Sequence, residues 1–559
     1  MNTMDPRRKQ VVGFFVVCIM ALSFPVAASA WEPNAEDLNA AVNTGKFAEY
    51  FRRLSAWLNQ RMPPDASRIS EAAVKTLLKK PTFANALAQR HLISKVGVDD
   101  LGAFVRGGRK HRDFLGWLLR NTEAMNLCLE GATPVNTHQR RQNNWKIRAS
   151  ALDIWSRIFH ADPESKKGVC LKLAIATGLN PPGTGNRGAG QAEKPADPLD
   201  RCNHFKSAYK NGELFPSFET HTVWEYRQIV SSNASNADLA WARKMINTWR
   251  PDLRVNEQVV KSTSEVQYRN SPIAFDHTFK NVLVGGGKCG PRSSWAVFIC
   301  QAFGIPVVGV RQPGHVCAAY KAANPKVGPQ PGNTWKVVYG AGWHRSRVAG
   351  MSGPDFLKEM RIRAHKTRFS QGEHLRGLAA ALTSKKQAEA VRALADEIQQ
   401  SATDTKPKSV PLPVSKTKPE EPFTAVPGLL HVEAESFSKM SGGYVYNCYT
   451  GGKQVYFPSI GSNWGKEPRV DYTINVLKTG VYALTLRTAT PREQTMEIRS
   501  GNKKIGTVEV PNSYGLWKTT PEVDVSLQKG KQTLMLKPVR PHRGVAVRCL
   551  ELKRKAKSK

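Results

Sequence analysis

Acidic residues are scarce in this chain, and the shortage narrows the partners that it can have. Aspartate and glutamate number 45 against 82 lysines and arginines, so the formal net charge of the 559 residues is +37. A charge excess of this size favours acidic surroundings such as nucleic acid, anionic envelope polymers or acidic glycans. Hydrophobic residues nevertheless make up 40% of the chain, which is enough to bury sizeable cores.

Cysteines are also few, and their spacing excludes two classes of protein. There are nine, irregularly spread, which is unlike a disulfide framework. No two of them form a CxxC pair, which argues against zinc sites of that kind. The chain also lacks a phosphate-binding glycine loop before Lys-Ser or Lys-Thr. We therefore expect no cofactor for catalysis, while the spacing allows one or two disulfides without selecting the pairs.

Long apolar runs are absent after the first 30 residues, so we expect no membrane span. Residues 7–9 are basic, residues 11–24 are apolar, and Ala28-Ser29-Ala30 supplies small residues in the A-x-A pattern. This order is typical of a secretory signal peptide, and the apolar run is shorter than the roughly 20 residues that cross a bilayer. The pattern predicts an exported protein, periplasmic or extracellular, for which nucleic acid is a poor partner.

The rest of the chain divides by the period of its apolar residues. Residues 31–280 follow helical patterns, and residues 281–399 mix helices with short strands. Residues 400–427 are rich in Pro, Lys, Ser and Thr and predict a semi-extended linker. Residues 428–552 alternate with a period of two between turn signals, which predicts a β-sandwich. Residues 553–559 form a basic tail.

Three local patterns in the helical parts are specific enough to test. One apolar stripe predicts an amphipathic helix: Phe47, Tyr50, Phe51, Leu54 and Leu58. Ser235, with Asp238 three residues later, predicts a capped helix start. Residues 376–399 read as a helix that closes the region before the linker.

One cysteine stands between a glycine run and a helix pattern in GGGKCGPRSSWAVFICQAFGIP, residues 285–306. Pro291 suits the first helical turn and Gly304 the end, which places Cys289 at or just before the helix N-terminus. The helix dipole favours a thiolate there. We expect Gly285 to Gly287 to leave room for a substrate backbone. A buried stripe follows the cysteine: Trp295, Phe298, Ile299, Ala302 and Phe303.

The segments after this helix supply a histidine. IPVVGV predicts a buried strand, RQPG a tight turn, and HVCAAYK a second strand that opens with His315. TWKVVYGAGW predicts a third strand. A thiolate nucleophile needs a base, usually a histidine. Cysteine at a helix start and histidine at a strand start can meet across the seam between helix and sheet. Cys300, in the middle of the helix, reads as plain core.

These segments together resemble the core of the transglutaminase-like domains, a branch of the papain-like cysteine enzymes. The resemblance covers residues 285–343 and implies an α+β domain with Cys289 as nucleophile and His315 as base. It also implies action on an amide bond, as in a peptide. The third residue of that family, an aspartate after the Trp-containing strand, has no match here. Tyr339 stands near its place and Asn333 is another orienter in reach, so the third residue stays open.

The C-terminal segments HVEAESF, VDYTINVLKTGVYALTLRTAT and GTVEVPNSYGLWKTTPEVDVSLQKGKQTLML carry a second resemblance. In this order they resemble carbohydrate-binding modules of families 6 and 35, which are sandwiches of the galactose-binding type. In such modules loop aromatics stack on sugar faces. The resemblance implies Trp517 as the leading carbohydrate contact, with Tyr514 and Trp464 as weaker candidates; packing in the core is the alternative role for Trp517.

The same family often holds a structural calcium near the EAE carboxylates. Glu433 and Glu435 match those positions, and carboxylate oxygens suit this cation. Arg548, however, stands where a further ligand aspartate is expected. A salt bridge from Arg548 to Glu433 or Glu435 is the alternative to the metal.

The sequence thus predicts a multidomain exported protein. It has a helical N-terminal region, an α+β transglutaminase-like domain and a C-terminal all-β sandwich. The leading function is a thiol enzyme, an amide hydrolase or acyltransferase, directed to a polysaccharide, acidic or not, by the sandwich. The alternative is a non-catalytic binding or scaffold protein of the envelope or the extracellular space, with a degenerate transglutaminase-like fold.

Overall fold

The computed structural model describes residues 31–185, 194–254, 258–270, 278–322, 335–403, 429–449, 451–459, 467–539 and 543–556. We call the described residues from 31 to 403 the body and those from 429 to 556 the sandwich. The predicted signal peptide, Asn333 and Trp464 lie outside the described residues, as does the linker apart from its first four positions. Across the described ranges, none of the helices combines the length and the apolar character needed to cross a membrane.

The first part of the body is helical, as predicted. Its helices are α1 Ala35–Thr44, α2 Phe47–Gln60, α3 Glu71–Leu78, α4 Pro81–Val96, α5 Val98–Arg106, α6 Arg109–Arg120, α7 Thr122–Ala132, α8 Thr137–Gln142, α9 Ala149–Ala161, α10 Gly168–Leu179, α11 Pro198–Lys210, α12 Val223–Val230 and α13 Asn236–Trp249.

Two of the local predictions are confirmed in these helices. The predicted stripe of α2 faces the core, with Phe47, Tyr50, Leu54 and Leu58 buried. Ser235 caps α13, because its Oγ accepts a hydrogen bond from the backbone N–H of Asp238 at 3.0 Å.

The second part of the body mixes helices and strands. It contains α14 Phe279–Gly285, α15 Cys289–Ala302, β1 Val307–Gln312, β2 His315–Lys321, β3 Trp335–Val338, β4 Arg347–Val348, β5 Met351–Ser352, α16 Gly353–Ala364, α17 Lys366–Ala379 and α18 Lys385–Ser401. The strands form one antiparallel sheet in the order β3-β2-β1-β4-β5. Helix α15 packs on β1 and β2.

The single helix predicted over residues 376–399 is wrong. Helix α17 ends at Ala379 and α18 begins at Lys385. The break is stabilised by Ser384, whose side chain accepts a hydrogen bond from the N–H of Gln387 at 3.3 Å. The serine therefore starts a new helix where the apolar pattern alone continued the old one.

One hydrophobic core runs through both parts of the body. It includes Leu54 and Leu92 of the helical part, Trp295 and Ile299 of α15, and Leu378 of α17. Helix α17 packs against α4. The helical part therefore packs on the second part of the body. On the other face of the five-stranded sheet a smaller core collects Val310, Cys317, Trp335 and Phe356 among others.

The sandwich has two sheets over its own core. Its strands are β6 Leu429–Glu433, β7 Lys439–Ser441, β8 Tyr444–Asn447, β9 Lys453–Phe457, β10 Arg469–Val476, β11 Gly480–Ala489, β12 Gln494–Ser500, β13 Lys503–Val510, β14 Lys518–Thr519, β15 Val523–Leu527, β16 Gly530–Val539 and β17 Val545–Arg554. One sheet has the order β13-β12-β16-β10-β7. The other has β14-β11-β17-β9-β8, with β15 paired to β11 and β6 to β17. The predicted all-β sandwich is confirmed.

Candidate functional site

Helix α15 begins at Cys289, as the sequence predicts. Lys288 precedes it in an extended conformation, and Pro291 lies in the first turn. The helix ends before Gly304, which has φ 72° and lies so close to Phe218 that a Cβ would come within 2.5 Å of that ring. Glycine is needed at this position for both reasons. The helix therefore carries Cys289 at its N-terminus and is fixed at the far end by packing.

The glycines before Cys289 do not leave room for a substrate. Gly286 has φ 77°, and a Cβ there would lie 2.2 Å from the carbonyl oxygen of Gln267. The N–H of Gly287 donates to that carbonyl at 2.8 Å, and a Cβ at Gly287 would lie 2.6 Å from the ring of Pro291. The space opened by these two glycines is filled by the chain itself, so the predicted role for them is wrong.

His315 lies at the start of β2, directly after a two-residue turn. It pairs in register with Gln312 of β1, and Gly314 in the turn has φ 66°. Strand β3 then pairs with β2. The predicted hairpin and the third strand are therefore confirmed.

The structure brings Cys289 and His315 to the same end of the seam between helix and sheet. Ser293 Oγ donates to the carbonyl oxygen of Cys317 at 2.9 Å, and the N–H of Lys321 donates to Pro306 O at the opposite end. Helix and strand therefore run in the same direction. Cys289 precedes Ser293 by about 6 Å along the helix, and His315 precedes Cys317 by about 6.6 Å along the strand.

The faces of strand β2 indicate how the two side chains are placed. Residues of β2 alternate between faces, with Ala318 in the core that holds Trp295 and Cys317 in the core of the opposite face. His315 follows the alternation of Cys317, and the thiol of Cys317 neighbours Cys289 at the head of α15. No hydrogen bond joins Cys289 to His315 in the part of the chain that the structure describes. A Cys289–His315 pair therefore stays a prediction.

The His315 imidazole is held by a backbone carbonyl. Its Nε2 lies 2.6 Å from Tyr339 O. A carbonyl can only accept, so Nε2 carries the proton, and in the neutral ring Nδ1 is then left as a proton acceptor. Tyr339 was the residue expected near the place of the missing aspartate, and it supplies its main chain rather than its side chain.

Tyr339 connects this carbonyl to the head of α15. Its φ of 58° is unusual for a residue with a side chain. The Arg292 guanidinium lies 5.3 Å from the centre of its ring, and the Tyr339 hydroxyl donates to Lys261 O at 3.3 Å. Arg292 lies on the first turn after Cys289, so one residue touches both the helix head and the imidazole.

Six of the other thiols in the described residues are buried, whereas Cys289 and Cys170 are only half-buried. Burial raises the pKa of Cys128 and Cys202 to about 12, and the pKa of Cys448 to about 11. Burial, together with the neighbouring Cys289, raises the pKa of Cys317 to about 11. These thiols stay protonated at neutral pH. Cys289 itself is only half-buried, and all eight cysteines of the described residues are free thiols.

A cleft of about 430 Å³ opens between the first turns of α15 and the β1–β2 hairpin; it begins at Gly290, and neither Cys289 nor His315 is part of its lining. Its lining includes Gly290, Ser293 and Ser294 of the helix, and Arg311 and Val316 of the strands. The lining combines polar residues such as the two serines with apolar residues such as Val316, which suits a ligand with both amide and apolar groups.

The loop with the predicted carbohydrate contacts is docked on the body. Trp517 is half-buried and packs against the core of the body. Tyr514 is 37% exposed, but its carbonyl oxygen accepts a hydrogen bond from Trp241 Nε1 at 3.1 Å. Gly515 between them has φ 75°, and a Cβ there would lie 2.5 Å from Met245. Sequence reasoning did not foresee this contact.

A second set of contacts fixes the same end of the sandwich. Trp249 Nε1 donates to Gly544 O at 2.9 Å, and the Arg250 guanidinium lies 4.9 Å from the centre of the Tyr456 ring. Tyr456 and Ala546 of the sandwich are buried in the core of the body. The two units therefore share an apolar interface that closes over this end of the sandwich.

The predicted calcium ligands are engaged by basic side chains. Glu433 Oε2 accepts from Arg548 Nη1 at 2.8 Å, and Lys453 Nζ lies 3.1 Å from Glu435 Oε2. The salt bridge between Arg548 and Glu433 is the alternative that the sequence raised. The calcium itself stays a prediction.

Comparison with known proteins identifies one region. Residues 433–548 match the family model of carbohydrate binding module family 6. A search of the curated proteins finds no match. The resemblance of the C-terminal region to family 6 is confirmed over these residues.

Solved structures similar to this chain are also carbohydrate-binding modules. One is a module from Cellvibrio mixtus lichenase 5A in complex with cellotriose, 20% identical, covering 23% of this chain and 98% of its own, with a TM-score of 0.20. Another is a β-1,3-glucan binding family 6 module from Bacillus halodurans, 22% identical, covering 22% and 95%, with a TM-score of 0.19. A third is a family 35 module from Clostridium thermocellum, 18% identical, covering 23% and 98%, with a TM-score of 0.19.

Proposed function

We propose that this protein is an exported thiol enzyme that acts on an amide bond and is held on a polysaccharide by its sandwich. The observation that carries the catalytic half is the bond from His315 Nε2 to Tyr339 O, at the same end of the seam as Cys289. It fixes a tautomer in which Nδ1 can take a proton. The transglutaminase-like character of the body belongs to this proposal and rests on the sequence pattern of residues 285–343.

The chemistry follows from these two groups. The imidazole of His315 removes the thiol proton of Cys289, and the thiolate attacks the amide carbonyl carbon. The C–N bond breaks, the imidazole returns the proton to the leaving amine, and the acyl group stays on sulfur as a thioester. Water then releases an acid, or an amine takes the acyl group. No hydrogen bond joins the two side chains in the described residues, so the imidazole and the thiol must come into contact for the first step.

The exported state and the glycan are supported separately. Residues 1–30 carry the pattern of a secretory leader. Family 6 modules typically occur in extracellular or secreted proteins, and residues 433–548 match that family. The basic net charge adds attraction to an acidic polysaccharide. We propose that Tyr514 and Trp517 contact the sugar. Because their loop is docked on the body, the access of the sugar to these two rings is limited.

The test of the catalytic half is the alkylation of Cys289 by iodoacetamide, followed residue by residue by mass spectrometry between pH 6 and 9. A thiol activated by an imidazole reacts at pH 6, where an ordinary thiol is almost wholly protonated. We expect His315→Ala to slow alkylation of Cys289 at pH 6 by about tenfold or more. The buried cysteines serve as internal references in the same digest.

His344→Ala is the matched control, because His344 is an exposed histidine of the same region. We expect it to leave the rate at Cys289 unchanged. Equal pH profiles in wild type and His315→Ala would show that no thiol–imidazole pair forms. The non-catalytic scaffold would then be the better interpretation.

A further inference from the structure

We propose that the outer face of the sandwich binds a divalent transition metal ion, with zinc as the best fit, through His431, Cys549 and Glu551. One ligand atom from each of these residues lies within 4.8 Å of the other two. The site is separate from the candidate thiol site and does not depend on the proposed activity, but it shares Glu433, as an outer partner of His431, with the predicted calcium position.

The strand register builds this cluster. Strands β6 and β17 pair antiparallel, with His431 opposite Glu551 and Glu433 opposite Cys549. Because side chains two residues apart share a face, all four point to the same side of the sheet. Their neighbours Val432 and Leu550 point into the core instead. The four therefore form a compact outward patch from two cross-strand pairs.

The distances suit a tetrahedral ion. His431 Nδ1 lies 3.3 Å from Glu551 Oε1. Zinc–nitrogen and zinc–oxygen bonds of about 2.0–2.1 Å at the tetrahedral angle separate their two ligand atoms by about 3.3 Å. The thiol of Cys549, within 4.8 Å of the other two ligand atoms, then needs a shift of at most about 1.2 Å to complete the third bond, with solvent as the fourth ligand.

The other nitrogen of the ring has the outer partner that such a ligand needs. His431 Nε2 lies 3.2 Å from Glu433 Oε1, and Arg548 holds the second oxygen of that carboxylate at 2.8 Å. A neutral imidazole has one N–H, so it can donate to Glu433 from Nε2 while Nδ1 offers its lone pair to the metal. The alternative is a doubly protonated ring between two carboxylates with no metal.

The donor set decides the class of ion. Sulfur and nitrogen ligands disfavour calcium and magnesium, which take oxygen, and favour zinc and its neighbours among the transition metals. The positive charges of two nearby arginines disfavour a bound cation, but each guanidinium donates a hydrogen bond to another residue. Arg548 is paired with Glu433, and Arg487, opposite Cys549 on β11, donates to Thr519 Oγ1 at 3.4 Å.

The experiment uses Co²⁺ as a spectroscopic probe of the full chain. Thiolate bound to Co²⁺ gives an intense charge-transfer absorption in the near ultraviolet, so the spectrum reports Cys549 and not only binding. We expect one Co²⁺ per chain with this absorption, and its loss when Zn²⁺ is added. Cys549→Ser is expected to remove the absorption, and His431→Gln and Glu551→Gln to weaken binding by about tenfold or more.

Cys448→Ser is the matched control, since Cys448 is also a buried thiol of the sandwich but bonds to Gln454. It is expected to leave the absorption unchanged. Thermal unfolding of each variant without metal shows whether the sandwich is intact, and Cys549→Asp keeps an anionic ligand if Cys549→Ser does not fold. If Cys549→Ser keeps the absorption, the metal binds elsewhere and the proposal is wrong. If the wild-type chain binds neither Co²⁺ nor Zn²⁺, the proposal is also wrong, and His431 is then a protonated histidine between two carboxylates.

Discussion

The body and the sandwich bury their ionisable groups in different ways. The core of the sandwich is a set of apolar side chains such as Tyr472, Leu486 and Leu550, and its buried charged residues Asp471 and Arg543 lie outside that core. The body also buries charges: Glu359 accepts from Arg140 and Arg363, and all three are less than a tenth exposed. Such groups make the body depend on pH and on exact pairing, while the sandwich depends on shape and burial.

The two units also differ in how accessible the residues of their sequence motifs are. In the body, Cys289 is half-buried, and a cleft is lined by Gly290, the next residue of α15. In the sandwich, Trp517 stands in the loop that docks on the body. A motif therefore predicts a function only where its side chains remain accessible to a ligand. In the sandwich, the docking of the Trp517 loop limits that access.

The largest expected effect is acid unfolding of the body before the sandwich. Burial lowers the pKa of His204 and His221 to about 3, and it also lowers the pKa of His91 and His374. Below about pH 6.5 the unfolded chain binds these protons and the folded body does not. The free energy of unfolding of the body should therefore fall between about pH 6.5 and 3, by about 1.4 kcal/mol per pH unit for each fully buried histidine.

Urea unfolding at pH 7, 5.5 and 4.5 tests this prediction. Tryptophan fluorescence reports the body, because every tryptophan except Trp464 and Trp517 precedes residue 404, and far-ultraviolet circular dichroism adds the sandwich. His221→Gln keeps a donor for Gly304 O and should flatten the pH slope by about 1.4 kcal/mol per unit, whereas exposed His344→Gln should not. If the body and the sandwich unfold together at the same urea concentration at every pH, the predicted difference in their pH dependence is wrong.

The next effect is the cost of breaking the buried ion network. Glu359→Gln leaves the buried Arg140 and Arg363 without their shared carboxylate, and we expect a loss of about 3–5 kcal/mol from the body. Glu497→Gln is the matched change in the sandwich, where Glu497 pairs with Arg499 at 3.1 Å near the surface. It should cost at most about 1 kcal/mol. Equal costs, measured by urea unfolding at pH 7, would mean that the network in the body adds nothing.

Much of the fold was predictable because it follows local patterns. Apolar spacing gave α2, α15 and the strands of the sandwich, and the spacing of Ser235 and Asp238 gave a helix start. The pattern over residues 376–399 failed because the cap at Ser384 is a single hydrogen bond that apolar periodicity does not register.

The candidate site was predictable only in part. The helix, the turn and the strand gave the positions of Cys289 and His315. The group that orients His315 is a main-chain carbonyl oxygen. Every residue has such a carbonyl, so nothing in the sequence marks Tyr339 as the residue that accepts this hydrogen bond. The same limit applies to His431 and Cys549, which are 118 positions apart in the sequence and meet only through the pairing of β6 with β17.

A third prediction concerns the interface itself. Gly515→Ala places a Cβ at 2.5 Å from Met245 in addition to the strain of a left-handed backbone, and Gly501→Ala has the strain with nothing within 4 Å. We expect about 1 kcal/mol of strain from each, and undocking of the sandwich from Gly515→Ala alone. Hydrogen exchange of α13 should then rise in Gly515→Ala. The same exchange in both variants would show that the loop does not hold the two units together.

The smallest expected effect is that of Trp517 on glycan retention by the intact chain. Because the ring is half-buried against the body, we expect Trp517→Ala to change retention in affinity electrophoresis by less than about threefold, the size of a lost half-contact of an aromatic ring. In the Gly515→Ala chain the loop is free, and Trp517→Ala should then remove most of the retention that undocking adds.

Tyr444→Ala, which removes a ring that is 54% exposed and distant in sequence from the docked loop, is the control. Gels run at low and high salt separate the two sources of binding, since retention by the basic charge is screened and retention by an aromatic contact is not. A large loss in the docked chain would mean that Trp517 meets the sugar where it stands, and docking would then be no barrier to binding.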